Sequence, residues 1–261
     1  MSKHVFIIIL LTFIFLKSYS QNKIDRNIAK IESLFNQQKF EDCVYKGQLL
    51  AASEKYKTSS ELYYFITSGF FFISKDEYLK EVYPNALKDA FKYMEKLINL
   101  EPKQELIPDI ALLKHNLKKA ILALVKEQLE RNKFNTTANN LYRIVKINPN
   151  EHIVKLNAGI VYILAKNNAK GNLLIQEAIT LLNTELKNET IIVDSLMTEA
   201  TNLIAKQYIT YLDEKYISIQ HQINKGQLKD NTPMLESLKN ELILYKDSSA
   251  KFSTFVHQLG Y

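Results

Sequence analysis

The sequence predicts an all-helical protein built from repeated helical hairpins. The 261 residues include only 6 Gly and 5 Pro, so few helix breakers interrupt the chain. Apolar residues recur every three or four positions along most of it, which is the helical spacing. Two consecutive blocks of 34 residues, Lys118–Glu151 and His152–Glu185, also carry one pattern twice. A fixed period of this length is typical of helix–turn–helix units that stack on one another.

The first twenty residues have the layout of a secretory signal peptide. A short basic start precedes the apolar run Val5–Leu16, and the small residues Ser18 and Ser20 stand just before Gln21. This layout predicts a signal peptide over residues 1–20 that is cut between Ser20 and Gln21. The mature chain is then expected in a periplasm or outside the cell, with no stable membrane span. An uncleaved N-terminal anchor is the alternative.

The charge pattern argues against a nucleic-acid-binding protein. The formal net charge is +6, and loss of the signal peptide would remove Lys3 and Lys17 and lower it further. Acidic and basic residues are interspersed, whereas nucleic-acid-binding proteins usually gather basic residues in a patch or stripe. We therefore expect no nucleic-acid partner.

Cys43 is the only cysteine, so the chain contains no internal disulfide. A single free cysteine is most often a small buried apolar residue. An intermolecular disulfide is the alternative, since an exported protein meets an oxidising compartment.

The first predicted pair of helices runs from Ile24 to Lys57. Apolar residues at helical spacing precede a polar corner at Gln37–Lys39, and Phe40 and Cys43 open the second helix. This pair ends without a proline.

The second predicted pair is irregular. Its first helix lies within Glu61–Ile73 and is dense in aromatic residues between Tyr63 and Phe72. The polar segment Ser74–Pro84 follows and adds about nine residues to the 34-residue pattern, as an insertion on one face would. The second helix then leads to the helix-ending sequence Leu100–Pro102.

The two regular blocks follow a single long predicted helix, Glu105–Arg131. Its apolar positions trace one helical face. The second helix of the first block stops at Asn148-Pro149, since proline cannot continue a helix. These blocks give the firmest assignment in the chain.

Beyond Glu185 the repeat pattern stops. Thr190–Asn224 has helical spacing without an internal breaker, Gly226–Pro233 is a predicted turn, and Met234–Leu259 is a second helical segment. The predicted organisation is therefore a signal peptide (1–20), a repeat region (21–185) and a pair of long helices (186–261) that packs on the repeats. Solenoids need such terminal elements to cover their ends.

These residues resemble the tetratricopeptide repeat (TPR) family. The family places small residues where helices cross, a large aromatic residue between helices and a proline after the second helix. The matching positions are Gly69, Phe72, Ala90, Pro102, Phe134, Pro149, Gly159, Tyr162, Gly171 and Ala178. The sequence departs from the family at Thr137, where the family prefers Ala, and in having no Trp. The resemblance implies a right-handed helical-hairpin solenoid of about four units, closed by two long C-terminal helices.

The resemblance also implies a groove lined by the first helix of each unit. Counting along those helices places eight side chains on its surface: Lys119, Leu122, Lys126, Leu129, Ile153, Leu156, Asn157 and Ile160. An apolar groove with basic points suits a peptide or helix of partly acidic character. The alternative is that the C-terminal helices cover the apolar residues of this face.

The sequence carries no recognisable catalytic, cofactor or metal motif. No two of the four histidines that follow the signal peptide are close in sequence, and none lies in a metal-binding spacing. The six glycines are not grouped into a phosphate-binding loop. We therefore expect no enzyme, no cofactor and no metal.

The predicted function is a protein–protein interaction scaffold of the bacterial cell envelope. The expected partner is a protein or peptide bound in the helical groove, as part of a peripheral envelope complex. The alternative is a helical protein that binds a small ligand or glycan through the aromatic cluster Tyr63–Phe72. If this cluster is open to solvent, the ligand hypothesis gains, whereas a packed cluster favours the scaffold.

Overall fold

The computed structural model describes residues 25–100, 109–187 and 195–224, together with Glu236 and Asn240. Throughout these residues the secondary structure is helical and no strand occurs, which confirms the all-helical prediction. The expectations for the signal peptide, for Pro102, for the turn at 226–233 and for the helical segment 234–259 lie outside the described residues.

The chain divides into two compact units, Met1–Leu113 and Lys114–Tyr261. The predicted end of the repeat region at residue 185 therefore falls inside the second unit.

The first unit contains five α-helices and one short 3-10 helix among its described residues. These are α1 (Arg26–Asn36), α2 (Phe40–Ala51), the 3-10 helix (Glu54–Tyr56), α3 (Ser60–Ile73), α4 (Leu79–Val82) and α5 (Ala86–Leu100). Helix α3 packs against α1, α2 and α5, and α1 also packs against α2. Helix α3 is consequently the centre of this unit, with ten of its fourteen residues buried.

Side-chain caps mark where these helices begin. The Asp25 carboxylate accepts a hydrogen bond from the Asn27 amide at the start of α1 (2.9 Å), and Ser59 caps α3. The Asp76 carboxylate accepts from two amides at the start of α4, at 2.8 and 2.9 Å. Such caps satisfy amides that have no partner within the helix. The segment that the sequence sets apart as an insertion, Ser74–Pro84, contains α4.

Among its described residues the second unit contains four further α-helices and most of a fifth. They are α6 (Ile110–Glu130, whose first residues belong to the first unit), α7 (Phe134–Ile147), α8 (His152–Leu164), α9 (Asn168–Lys187) and α10 (Ser195–Asn224). Helix α8 packs against α7, α9 and α10. It is the central helix of this unit, and nine of its thirteen residues are buried.

Three helix–helix corners share one backbone geometry. Gln38 between α1 and α2, Asn132 between α6 and α7, and Lys166 between α8 and α9 have φ values of 58°, 54° and 64°. Each of these amides donates to the carbonyl three residues earlier, and the next amide donates to the carbonyl five residues earlier, all at 2.8–3.0 Å. This is the Schellman-type helix end. Since Asn132 and Lys166 are 34 residues apart, the sequence period corresponds to a repeated backbone turn.

The backbones of α8 and α9 touch where Gly159 faces Gly171. A Cβ atom on Gly171 would lie 2.8 Å from the Gly159 carbonyl oxygen and 3.1 Å from the Ile163 nitrogen. A Cβ atom on Gly159 would lie 2.9 Å from the Gly171 carbonyl oxygen. Only residues without a side chain allow two helices to approach this closely.

Candidate functional site

The eight side chains predicted to line a groove divide into a buried apolar part and an exposed basic edge. Leu122, Leu129, Leu156, Asn157 and Ile160 are buried, Ile153 is half-buried, and Lys119 and Lys126 are exposed. An open apolar groove is therefore not what the structure shows. The buried residues lie on α6 and α8, and α10 packs against α8.

Helix α10 makes a specific polar contact with this face. The Asn157 side-chain amide on α8 donates a 2.7 Å hydrogen bond to the Thr201 hydroxyl on α10. Both residues are buried, at 1% and 4% exposure. A buried amide needs such a partner, because leaving it unpaired costs free energy.

Two further contacts hold α10 against α6. The Gln207 side chain donates from Nε2 to the Leu129 carbonyl oxygen at 3.0 Å. Lys126 forms an ion pair with Glu199 at the exposed edge of the face. This ion pair raises the pKa of Lys126 through its hydrogen bond to the carboxylate. Lys126, predicted as a basic point for a partner, is thus paired within the chain.

The side of α10 that is buried has the spacing of an amphipathic helix. Its buried residues are Met197, Ala200, Thr201, Ile204, Ala205, Leu212 and Ile219. They are dense in the first half of the helix and sparse in the second, where Ile217 is 63% exposed. Small residues predominate near the Thr201 contact, so α10 approaches α8 closely there.

The aromatic cluster Tyr63–Phe72 is mostly packed inside the first unit. Tyr63, Phe65, Phe70 and Phe71 are buried. Tyr63 and Phe70 both stack on the ring of Tyr93, with centroids 6.1 and 5.7 Å away. These rings fill the layer between α3 and α5, as aromatic residues of a helical core do.

Phe72 is the exposed member of that cluster. Its side chain is 43% exposed. Its ring stacks on Phe40 with centroids 4.9 Å apart and an interplanar angle of 8°. Phe72 on α3 thus contacts Phe40 on α2. In the 34-residue pattern, Phe72 corresponds to Tyr162 and Phe40 corresponds to Phe134.

The segment Ser74–Pro84 carries two exposed large apolar side chains. Tyr78 is 74% exposed and Val82 is 53% exposed. Tyr83 donates a 2.9 Å hydrogen bond to the Glu41 carboxylate on α2, which raises the pKa of Tyr83. Side chains of this segment thus present apolar surface while Tyr83 ties it to α2.

Cys43 is fully buried between α2 and α3. Its Sγ lies 3.8 Å from the Phe65 carbonyl oxygen, to which it donates. Burial raises the pKa of the thiol to about 12, because a thiolate is poorly solvated there. Cys43 is placed as a packed apolar residue and not as a surface thiol.

Tyr162, Tyr142 and Lys170 form a cation–aromatic cluster that the sequence did not indicate. The Lys170 ammonium lies 3.7 Å from the Tyr142 ring centroid and 4.3 Å from that of Tyr162. It also donates a 2.8 Å hydrogen bond to the Tyr162 hydroxyl oxygen. The sequence signal for this cluster is weak: α7, which carries Tyr142, contains no acidic residue that could pair with Lys170.

Lys118 is a buried cation in the second unit. Its side chain is 6% exposed and forms an ion pair with Glu151, which immediately precedes α8. Nearby, burial lowers the pKa of Lys114, while Glu151 acts to raise it. A buried ammonium requires such a carboxylate, so this pair fixes the start of α8 against α6.

Two clefts of about 440 and 540 Å³ adjoin along α10 and share Tyr211 and Glu214. The first is lined by Asn132, Phe134, Leu164, Leu203, Lys206, Gln207, Thr210, Tyr211 and Glu214. The second is lined by Lys166, Asn168, Tyr211, Glu214, Lys215 and Ser218. The first cleft runs past the helix corner at Asn132 and the second past the corner at Lys166, and neither brings together a set of catalytic side chains.

The described ranges contain neither a candidate metal site nor a candidate membrane span. No three His, Cys, Asp or Glu side chains there are placed to hold a metal ion. No helix within those ranges is both long and apolar enough to cross a bilayer.

Comparisons with protein-family models, with curated proteins and with solved structures give no match.

Proposed function

We propose that this chain is an exported, non-enzymatic scaffold of TPR-like helical hairpins, and that it recognises an amphipathic helix of a partner protein. The bacterial envelope is the proposed location, which rests on the sequence features of residues 1–20. The helical groove of α6 and α8 is the proposed recognition surface.

The TPR-like arrangement is supported by two features of the second unit. The Schellman-type corners at Asn132 and Lys166 recur at the 34-residue period. The backbone contact of Gly159 with Gly171 gives the close crossing that the small residues of the family pattern require. The corner at Gln38 extends the same local geometry to the first unit.

The hydrogen bond between Asn157 and Thr201 is the observation that carries the proposed recognition mode. The proposal is supported by the packing of α10, an amphipathic helix, against α8, where a buried amide is paired with a hydroxyl. A face with this chemistry suits a partner helix that offers the same small and hydroxyl-bearing residues. We propose that the partner helix competes with α10 for this face.

The glycan-binding alternative has less support. Four of the six aromatic residues in the Tyr63–Phe72 cluster are buried, and they pack on one another and on Tyr93. A stacking platform for sugars needs exposed ring faces, which only Phe72 offers to a substantial extent.

Quantitative partner capture from a native extract tests the proposal. The double variant Thr201→Ala with Gln207→Ala removes two contacts that hold α10, so it should retain about tenfold more of the same partner than the wild type. Thr210→Ala is the matched control, because Thr210 is exposed on α10 and its hydroxyl donates to the Lys206 carbonyl of the same helix. Equal retention by wild type and double variant would exclude competition with α10.

A further inference from the structure

The hydrogen bonds around Tyr162 all run in one direction, toward the surface of α7. The Lys170 ammonium, which has no acceptor, donates to the Tyr162 oxygen. The Tyr162 hydroxyl then donates to Oδ1 of Asn139 at 2.9 Å. Besides the oxygen that accepts from Tyr162, the exposed Asn139 side chain carries an NH₂ group with two N–H donors. The chain of bonds therefore ends at a side chain that can donate to a ligand.

Arg143 adds further donors to the same helix face. It lies one turn from Asn139, at the i+4 position, so the two side chains are neighbours. Its guanidinium donates to Oδ1 of Asn140, whose own amide donates to Gln128 at 3.0 Å. One guanidinium carries five N–H donors, and Asn140 is the acceptor that Arg143 meets among the described residues. Burial lowers the pKa of Arg143, as expected for a half-buried cation without a carboxylate.

The acidic residues near this surface are engaged elsewhere. Helix α7 contains none, and α9 has none before Glu177, which pairs with Lys155 at 3.2 Å. Within the described part of the chain, no carboxylate pairs with Arg143 or Lys170. The two cations instead contact amides and aromatic rings, which balance a positive charge only in part.

We infer that Asn139, Tyr142, Arg143 and Lys170 form a binding site for the carboxylates of an acidic segment on a partner protein. This surface, called the donor cluster below, offers an ammonium, a guanidinium and an amide, a set that suits an oxyanion. Its residues lie on α7 and α9, with Asn139 exposed and the other three half-buried, so it can be reached by a side chain presented by a larger partner. The inference rests on the proposed scaffold function, of which it names a second contact surface.

Fluorescence anisotropy with the full chain tests the donor cluster. The probe is a labelled peptide of alternating Glu and Gly, and its matched control has Gln in place of Glu. The Glu peptide should bind and the Gln peptide should not. Arg143→Gln and Lys170→Gln should each weaken binding about tenfold, since each removes a charge-assisted hydrogen bond. Lys88→Gln is the control, because it makes the same charge change at an exposed position of α5. It should change the affinity for the Glu peptide less than twofold.

Asn139→Asp separates loss of binding from loss of folding. The substitution places a carboxylate where it accepts from Tyr162 and lies beside Lys170 and Arg143, so the cations are satisfied within the chain. Binding of the Glu peptide should fall at least tenfold, while circular dichroism and the melting temperature stay at wild-type values or rise.

Three results would overturn this inference. They are equal binding of the Gln peptide, undiminished Glu-peptide binding by Asn139→Asp, and binding of anionic phospholipid vesicles without binding of the Glu peptide. The last result would assign the surface to a membrane. Thr201→Ala, which loosens α10, should leave Glu-peptide binding unchanged. Partner capture by the α10 variants therefore tests the groove proposal, and Glu-peptide binding tests the donor cluster, so one can fail without the other.

Discussion

Asn157 on α8 donates a 2.7 Å hydrogen bond to Thr201 on α10, and water reaches neither side chain to any useful extent. The bond joins the central helix of the second unit to a helix that the sequence places outside the repeat. Asn157 is the polar residue among the five buried residues of the predicted groove face. The sequence left open whether this face is free or covered by a C-terminal helix, and the bond places α10 against α8 at this point.

Replacement of Thr201 by Val tests the energetic weight of this bond. Val has nearly the same shape, but it leaves the Asn157 amide buried without its partner, which should lower the free energy of unfolding by about 1–3 kcal/mol. Urea unfolding followed by circular dichroism measures the change. Thr210→Val, at an exposed position of the same helix, should change stability by about 0.5 kcal/mol or less. An equal effect of both substitutions would show that the bond contributes nothing.

Enlargement of Gly171 tests the crossing of α8 and α9. A Cβ at this position meets the Gly159 and Ile163 backbones, which cannot rotate away, so Gly171→Ala should cost about 1–3 kcal/mol and Gly171→Leu more. A Cβ at Gly47 would lie 2.6 Å from Cγ1 of Ile66, and its three nearest neighbours are all side-chain atoms. Because side chains can shift more readily than two helix backbones, Gly47→Ala should cost less than Gly171→Ala. Thermal unfolding compares the variants, and an unchanged melting temperature for Gly171→Leu would contradict this crossing.

Glycine at the corner residue Lys166 should stabilise the protein. Its φ of 64° is unfavourable for a residue with a Cβ, so Lys166→Gly should raise the free energy of unfolding by about 0.5–1 kcal/mol. The equivalent substitution Asn132→Gly should gain less, because Asn tolerates the left-handed region better than Lys. Urea unfolding measures both. A loss of stability in Lys166→Gly would mean that the Lys166 side chain makes a contribution that outweighs the backbone strain.

The thiol of Cys43 should resist modification in the folded protein. Its pKa is raised to about 12, so almost no thiolate exists at pH 8, and its burial excludes a bulky reagent. A disulfide reagent such as 5,5′-dithiobis(2-nitrobenzoic acid) should label it only in denaturant, and Cys43→Ala should abolish the signal. Labelling of the native protein within seconds would contradict this packing.

Local features of the fold could be predicted from the sequence because they depend on neighbouring residues. Helical spacing and sparse breakers identified the helices, and the 34-residue period matched the corners at Asn132 and Lys166. The aromatic density of α3 also indicated an interior helix, since so many rings need an inter-helix layer.

Contacts between distant segments could not be predicted in the same way. The periodicity of residues 190–224 showed that one helical face must be buried, but not that it lies against α6 and α8. The donor cluster depends on side-chain directions at Asn139, Tyr162 and Lys170, which come from different helices. Sequence spacing predicted that Tyr162 lies between helices. It did not predict that the Lys170 ammonium lies over the Tyr162 ring.

Binding of a labelled peptide with the sequence of residues 195–224 tests the central claim most directly. The Thr201→Ala, Gln207→Ala variant of the full chain should bind it about tenfold more tightly than the wild type, whose groove holds α10. A peptide carrying Thr201→Val should bind this variant more weakly, because it cannot accept from Asn157. Failure of the variant to bind the peptide while it keeps its helical circular dichroism would contradict the account, as would equal binding to wild type and variant.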